Sequence, residues 1–535
     1  MGAKDDRRPM EIRGVMLDSA RLMEKHGFYV DLLEPLGRWG INTLWWHFCD
    51  DQGFGVELDS HPEIVTPYAF SKAEARRFIE AAAEVGIDVV PEIETLGHAS
   101  YITRLPQYAH LADGDPTHFN AACPSQPETL ALMRDILTET AELFDSPYLH
   151  AGLDEVNFGG CKRCAERGHG KPQWWVYAEH TKAIHAIITG AGKRMIMWAD
   201  HVEKAPAMLE VLPADIVMAH WQYWKVEREP IDRSLAAGFE VIGAPSMCWF
   251  GTMVSPRATD LDVVDAMAAT ADEWADRGMR GVVNTWWVPG RVLRDACLPA
   301  VKYTADVLNA AGGVYRVESA RGYLREQFDL NSLPAARAIV RLSELALHMN
   351  EVQSLCLEST ADRFDAIALA RGEGFAERVA DVEQAAEALL AGRKKIKRNA
   401  EPYDALILAA MTAATCLNNG LRMAVVYDAC LEAQRARNRG MEGKAVTGKL
   451  DEAVEALASI AADMKEILSL LGREWDRTRH RDDPKKHLKD VDRPCGRDKL
   501  LGRLARGHAS VRRTLEAFKQ EAKAVGDGGE IPHWG

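Results

Sequence analysis

Along the first three hundred residues one pattern recurs. A helix-spaced stretch closes on a glycine, and a short, almost continuous apolar run follows. The pattern is seen in WGINTLWW at Gly40, VGIDVVPEI at Gly86, AGKRMIMWA at Gly192, AGFEVIGA at Gly238 and RGMRGVVNTWW at Gly278. Glycine closes a helix in the left-handed conformation without a Cβ penalty. Apolar runs of this length with little alternation suit strands covered on both faces. The runs predict eight strands, near 12–17, 41–46, 87–92, 148–153, 194–199, 215–220, 239–244 and 280–286. Helix starts are marked by Ser71 with Glu74 and by Ser125 with Glu128, two predicted capping boxes.

Eight strands alternating with helices predict an α/β fold, a (β/α)8 TIM barrel over residues 1–314. A doubly wound open sheet is the runner-up, but no GxGxxG or GxxxxGK[ST] run supports a nucleotide fold. From about residue 315 strand-like runs vanish. Stretches such as AERVADVEQAAEALLAG and DEAVEALASIAADMKEILSLLG predict an all-helical C-terminal domain over 315–535. The charged segment 477–497 reads as a long loop.

Composition narrows the function. The 535 residues carry a net charge of −14, which argues against nucleic acid as the main partner. No apolar run reaches the ~18 residues of a membrane span, and no secretory signal opens the sequence, so a cytoplasmic location is the default expectation. The ten cysteines are scattered and read as free thiols. Cys161 and Cys164 form one CxxC, half of a zinc site with no partner pair evident. They read more simply as loop thiols, so no metal and no cofactor are expected. A homodimer is plausible for a chain of this size, although no residue demands one.

In such a barrel chemistry sits at the C-terminal ends of the strands. Polar and aromatic residues collect there: Trp45, Trp46, His47 and Asp50; Glu92, Glu94 and His98; Asp154 and Glu155; Trp198, Asp200 and His201; His220 and Trp221; Trp286 and Trp287. Indole faces that stack on sugar C–H groups, with carboxylates at the floor, suit a carbohydrate. The sharpest segment is YLHAGLDEV, residues 148–156. An Asp–Glu pair directly after a buried strand brings two carboxyls together, so that one of them titrates high. That supplies one acid and one anion for glycoside hydrolysis. Neighbours in a strand point to opposite faces, so both serve one site only if the chain turns there.

These segments resemble glycoside hydrolase family 20, the β-N-acetylhexosaminidases. HAGLDEV is similar to the family's H-x-G-x-D-E motif, and IRGVMLDSAR (12–21) to its opening R-G-x-x-x-D-x-x-R strand. NTLWWHFCDDQGFGVEL, PEIETLGHAS, MWAD and GVVNTWW resemble further family blocks in the same order, over roughly residues 11–300. The resemblance implies a retaining exo-β-N-acetylhexosaminidase that releases terminal GlcNAc or GalNAc from a glycan. Its 2-acetamido group would attack carbon 1 and form an oxazolinium intermediate. Glu155 would be the general acid and base, and Asp154 would hold the acetamido group. Asp50, His98 and His150 would support them. Arg13 would bind the sugar's outer hydroxyls, and Trp198, Asp200, Trp221, Trp249, Trp286 and Trp287 would complete the pocket.

The chain departs from the family pattern in two places. The usual Tyr-x-Asp after strand 7 is replaced by APSMCWFG (244–251), and Pro289 stands where the family has Glu. Arg291 or Arg294 could fill the gap. Two other readings stand beside the hexosaminidase. One is a metal-dependent barrel hydrolase using His47, Asp50, Glu92, Glu94, His98 and Asp154. The other is a barrel that binds sugar without cleaving it, or that acts on a modified amino sugar.

Overall fold

The computed structural model describes residues 10–113, 121–157, 161–249, 251–310, 313–441, 443–480 and 500–526. Eight parallel strands close on themselves: β1 (Ile12–Asp18), β2 (Thr43–His47), β3 (Asp88–Glu92), β4 (Tyr148–His150), β5 (Arg194–Trp198), β6 (Val217–Trp221), β7 (Glu240–Ala244) and β8 (Met279–Trp286). Closure is direct, with Arg13 opposite Val282 and Leu17 opposite Trp286 across the β8–β1 seam. The open sheet is thereby excluded. The glycines at 40, 86, 192, 238 and 278 all have positive φ, between 78° and 108°, as the helix-closing pattern requires.

Side chains alternate between two cores. Met16, Trp45, Val90, Ile196, Trp198, Val217, Ile242 and Val283 fill the barrel interior. Trp46 points outward and packs edge-on against Phe48, Phe70 and Phe78, in the layer between strands and helices. The Ser71–Glu74 capping box forms at the head of the helix Lys72–Glu84. The Ser125 box does not. Gln126 precedes the helix Pro127–Leu143, Pro127 needs no N–H partner at the first position, and the Ser125 hydroxyl donates to Cys164 Sγ instead. A small sheet of Cys49–Asp50, Gly53–Val56 and Val65–Phe70 follows β2 and carries Asp50 to the mouth.

Every described element from Arg316 onward is a helix, including a pair of 38 and 35 residues, Glu401–Asn438 and Lys444–Thr478. These helices brace the loops that follow β7 and β8. Met349 N–H donates to the Gly251 carbonyl at 3.0 Å. Arg479 donates to the carbonyls of Pro289 and Val292 and lies 3.2 Å from buried Glu24. Most of the segment 477–497, expected as a loop, lies outside the described residues. The helix Lys444–Thr478 takes in its first two residues, and Arg479 and His480 lie beyond the helix. No helix among the described residues is long and apolar enough to cross a membrane.

Candidate active site

The β4 strand is shorter than its apolar run suggests. It stops at His150, and the chain then turns: Leu153 and Glu155 are both left-handed, with φ of 77° and 46°. Non-glycine residues rarely adopt this conformation, and it concentrates where a site imposes it. The two turns put the Asp154 and Glu155 carboxyls within reach of one imidazole. His98 Nε2 lies 3.7 Å from Asp154 and 3.4 Å from Glu155, while its Nδ1 lies 3.5 Å from Asp50 and 3.4 Å from Asp51. His98 is itself left-handed, with φ of 46°. Gly152 makes room for this packing, because a Cβ there would stand 2.2 Å from Glu94 Oε2.

Charge balance explains how so many buried carboxylates coexist. Burial alone would strip the proton from His98, but the charges of Asp50 and Asp154 outweigh it and hold the ring cationic. His47 is pushed up to about 10 against its burial, because it bridges Glu92 at 3.0 Å and Asp50 at 2.9 Å. Arg21 lies 3.1 Å from Asp18 and 2.8 Å from Asp50. Against the cost of burial, Arg21 and His98 hold Asp50 well below the carboxylate range. Burial and the charge of Asp154 raise Glu94 far above it. His150 falls to about 4 through burial, so it stays neutral, and its Nδ1 accepts from Gly152 N–H at 3.1 Å.

The pair itself separates. Burial raises Asp154 to about 7, aided by the charges of Asp200 and Glu155. The hydrogen bond from His98 lowers Glu155, whose side chain faces the open mouth. One carboxyl therefore titrates high, as two close anions require, but in the free site it is Asp154 rather than Glu155.

The predicted residues sort by the face they occupy. Trp198 donates to Glu92 at 2.7 Å on the barrel floor. Asp200 accepts from Glu155 N–H at 3.3 Å and from Lys204 at 2.9 Å, so it fixes the turn after β4. Trp287 packs edge-on to His47 and under the Arg21 guanidinium, 4.9 Å from its ring. Trp221 and Trp249 flank Tyr223, with centroids 5.1 and 6.2 Å away, and the Trp249 indole donates to Asp260.

Two predicted residues are not brought to the site. Arg13 lies at the N-terminal end of β1, where its guanidinium donates to the carbonyls of Gly40 and Met10. The last arginine of the same motif, Arg21, takes the place at the mouth. Trp286 points outward and is buried, with Arg294 stacked 4.7 Å over it. Arg294 is in turn held at 3.0 Å by Glu24, so it does not fill the gap at Pro289.

Sequence reasoning missed Tyr223. Its hydroxyl accepts from the Trp287 indole at 2.7 Å, and it is raised by burial with further contributions from Asp154 and Glu155. Only its position two residues past the end of β6 could have flagged it. The metal-ligand geometries among His47, Glu92, Glu94, Asp50, His98 and Asp154 exist. Here, however, the ring nitrogens of His47 and His98 and the Arg21 guanidinium already face the carboxylates.

Comparison with known proteins agrees with this geometry. Residues 11–273 match the family described as "Glycosyl hydrolase family 20, catalytic domain". A β-hexosaminidase of Vibrio furnissii is 27% identical over 304 residues, covering 50% of this chain and 48% of that one. A β-N-acetylhexosaminidase of Cellulomonas fimi is 29% identical over 275 residues, covering 46% and 50%. The chain thus spans about half the length of these curated relatives. The fold is shared with the β-N-acetylhexosaminidase of Bacteroides fragilis, at 21% identity and a TM-score of 0.51, covering 59% of this chain and 69% of that one. It is shared also with an exo-β-N-acetylglucosaminidase of Vibrio harveyi, solved with N-acetylglucosamine, at 19% identity and a TM-score of 0.50, covering 62% and 59%. The barrel of this chain is a glycosyl hydrolase family 20 catalytic domain.

Proposed function

We propose that the protein hydrolyses terminal N-acetylhexosamine from a glycan, with retention, using the substrate's own acetamido group as nucleophile. The observation that carries this reading is the double left-handed turn. It aims Asp154 and Glu155 into one cup against His98. Asp154 accepts the acetamide N–H, and its negative charge supports the cation that grows as the acetamide oxygen attacks carbon 1. Glu155 gives its proton to the leaving oxygen, then takes one from the water that opens the oxazolinium ring.

This requires the proton to move from Asp154 to Glu155 when sugar binds. The acetamide N–H stabilises the Asp154 anion. The aglycone covers Glu155 and desolvates it, which raises its affinity for the proton. Tyr223 donates its hydroxyl to the acetamide oxygen, the role left open after β7. Arg21 binds the outer hydroxyls, and Trp287 walls the sugar ring. We assign 1–314 to the catalytic barrel and 315–535 to a helical domain that stiffens its β7 and β8 loops.

The test compares aryl β-glycosides that differ only at carbon 2, with the first-formed anomer read by proton NMR. Turnover restricted to the 2-acetamido sugars, with β-anomer released first, supports the reading. Equal turnover of the 2-hydroxy glycoside, or α-anomer first, overturns it.

A further inference from the structure

A second cluster lies beside the catalytic turn, on the loops that follow β3 and β4. Asp113 and Cys123 are held side by side by the antiparallel bridge Ala112–Ala122, with Asp113 N–H on the Ala121 carbonyl and Cys123 N–H on the Leu111 carbonyl. Cys161 and Cys164 come from the next loop, at the head of the helix Lys162–Gly168. All four residues are buried. Cys123 Sγ lies 3.4 Å from Cys161 Sγ and 3.7 Å from Cys164 Sγ, and Cys164 Sγ lies 3.3 Å from Asp113 Oδ2. The four ligand atoms all fall within 4.8 Å of one another. The second Asp113 oxygen is buried without a hydrogen-bond partner.

We propose that Asp113, Cys123, Cys161 and Cys164 bind one zinc ion as a structural site that clamps the two loops carrying His98 and the Asp154–Glu155 pair. A tetrahedral ion with Zn–S bonds of ~2.3 Å sets its thiolates about 3.8 Å apart, close to the spacings seen here. Three soft thiolates with one carboxylate make a closed tetrahedral donor set that zinc accepts, and the thiolates disfavour magnesium and calcium. Two of the cysteines have the C-x2-C spacing of such sites, and the other two ligands come from a distant segment, which closes the loop-to-loop clamp. The spacing is too long for any pair to be a disulfide bond and too short for a multi-iron cluster. Binding releases the three thiol protons as the thiolates form, with no change of oxidation state. The excess negative charge meets Arg163, which lies against Cys123 and Cys161. The ion takes no part in the glycosidic chemistry, so this site stands or falls independently of the function proposed above.

The experiment uses the full chain as purified from zinc-replete growth. Elemental analysis should find one zinc per chain. Replacement by cobalt(II) should give the near-ultraviolet thiolate-to-cobalt band and a tetrahedral visible spectrum. A Cys123→Ser, Cys164→Ser double variant should lose the zinc, whereas Glu155→Gln should keep it. Strong chelator should lower the Tm of the wild type. Protein that holds no zinc and takes up no cobalt, with Cys123, Cys161 and Cys164 all titrating as free thiols, overturns the proposal. So does a Cys123–Cys161 disulfide found by peptide mass. The cobalt spectrum is read on the wild type, so it decides the matter even if the double variant fails to fold.

Discussion

His98 Nε2 stands 3.4 Å from Glu155 Oε2, and both residues occupy left-handed backbone conformations on different loops. The contact joins the carboxylate at the mouth to the buried Asp50 and Asp51 behind the imidazole. A cation at this point lowers Glu155 in the free site and leaves the high-titrating proton on Asp154. Under the function proposed above, the free site holds the proton on Asp154, and sugar binding moves it to Glu155.

That arrangement has a pH signature. Asp154 titrates at about 7 in the fold against an ordinary 3.8. Between those values the native state holds more protons than the unfolded one, so stability falls as pH rises through that window. Asp154→Asn removes the penalty. Its Tm should exceed that of the wild type at pH 8, and the gap should close toward pH 4. In the wild type kcat/KM should fall as pH rises through about 7, where the pair loses the proton that Glu155 needs, and in the residual activity of the variant that limb should move to lower pH, because Glu155 alone then holds the proton.

Arg21 and Arg13 separate the two ends of β1. Arg21→Ala should cost about 10–100-fold in kcat/KM, the worth of a charge-assisted hydrogen bond to substrate. Arg13→Ala removes only the bonds to Gly40 and Met10 and should leave kcat/KM within about threefold. Steady-state kinetics on one aryl glycoside decides between them, and the reverse ranking would return the role to Arg13.

Tyr223→Phe deletes one hydroxyl and keeps the ring against Trp221. If that hydroxyl polarises the acetamide, kcat should fall about 10²-fold, the usual effect of losing one preorganised donor. KM should change little. A loss confined to KM would reduce Tyr223 to a wall of the pocket.

The helical domain is pinned through a buried charge cluster in which Glu24 faces both Arg294 at 3.0 Å and Arg479 at 3.2 Å. Glu24→Gln leaves two buried guanidinium groups poorly compensated and should cost about 3–5 kcal/mol. Denaturant titration and hydrogen exchange at residues 288–294 would report it. An unchanged midpoint would mean that the helices are held by apolar packing alone.

Much of the architecture is legible along the chain because strands and helices are written locally. All eight strands fall within about two residues of their apolar runs except at the end of β4. There Gly152, Leu153 and Glu155 turn the chain where the hydrophobicity continues. The site is legible where one strand end supplies it, as with Asp154, Glu155 and Trp198. It is misread where a one-residue step decides the face: Trp286 points out and Trp287 in, and the first arginine of the β1 motif sits a barrel's depth from the last. Juxtapositions between loops are not written locally at all. Cys123 lies 38 positions from Cys161, and no periodicity connects them.

In the proposed reaction Glu155 carries the proton for a 2-acetamido sugar. The most direct test is hydrolysis of 4-nitrophenyl β-GlcNAc and β-GalNAc by wild type and Glu155→Gln at matched Tm. The wild type should release 4-nitrophenol from at least one of the two, and the variant should lose roughly two to four orders of magnitude. The loss should be larger still on glycosides whose leaving alcohol is more basic than 4-nitrophenol and so depends more on the proton. No release by the wild type from either sugar, or equal release by the variant, would contradict it.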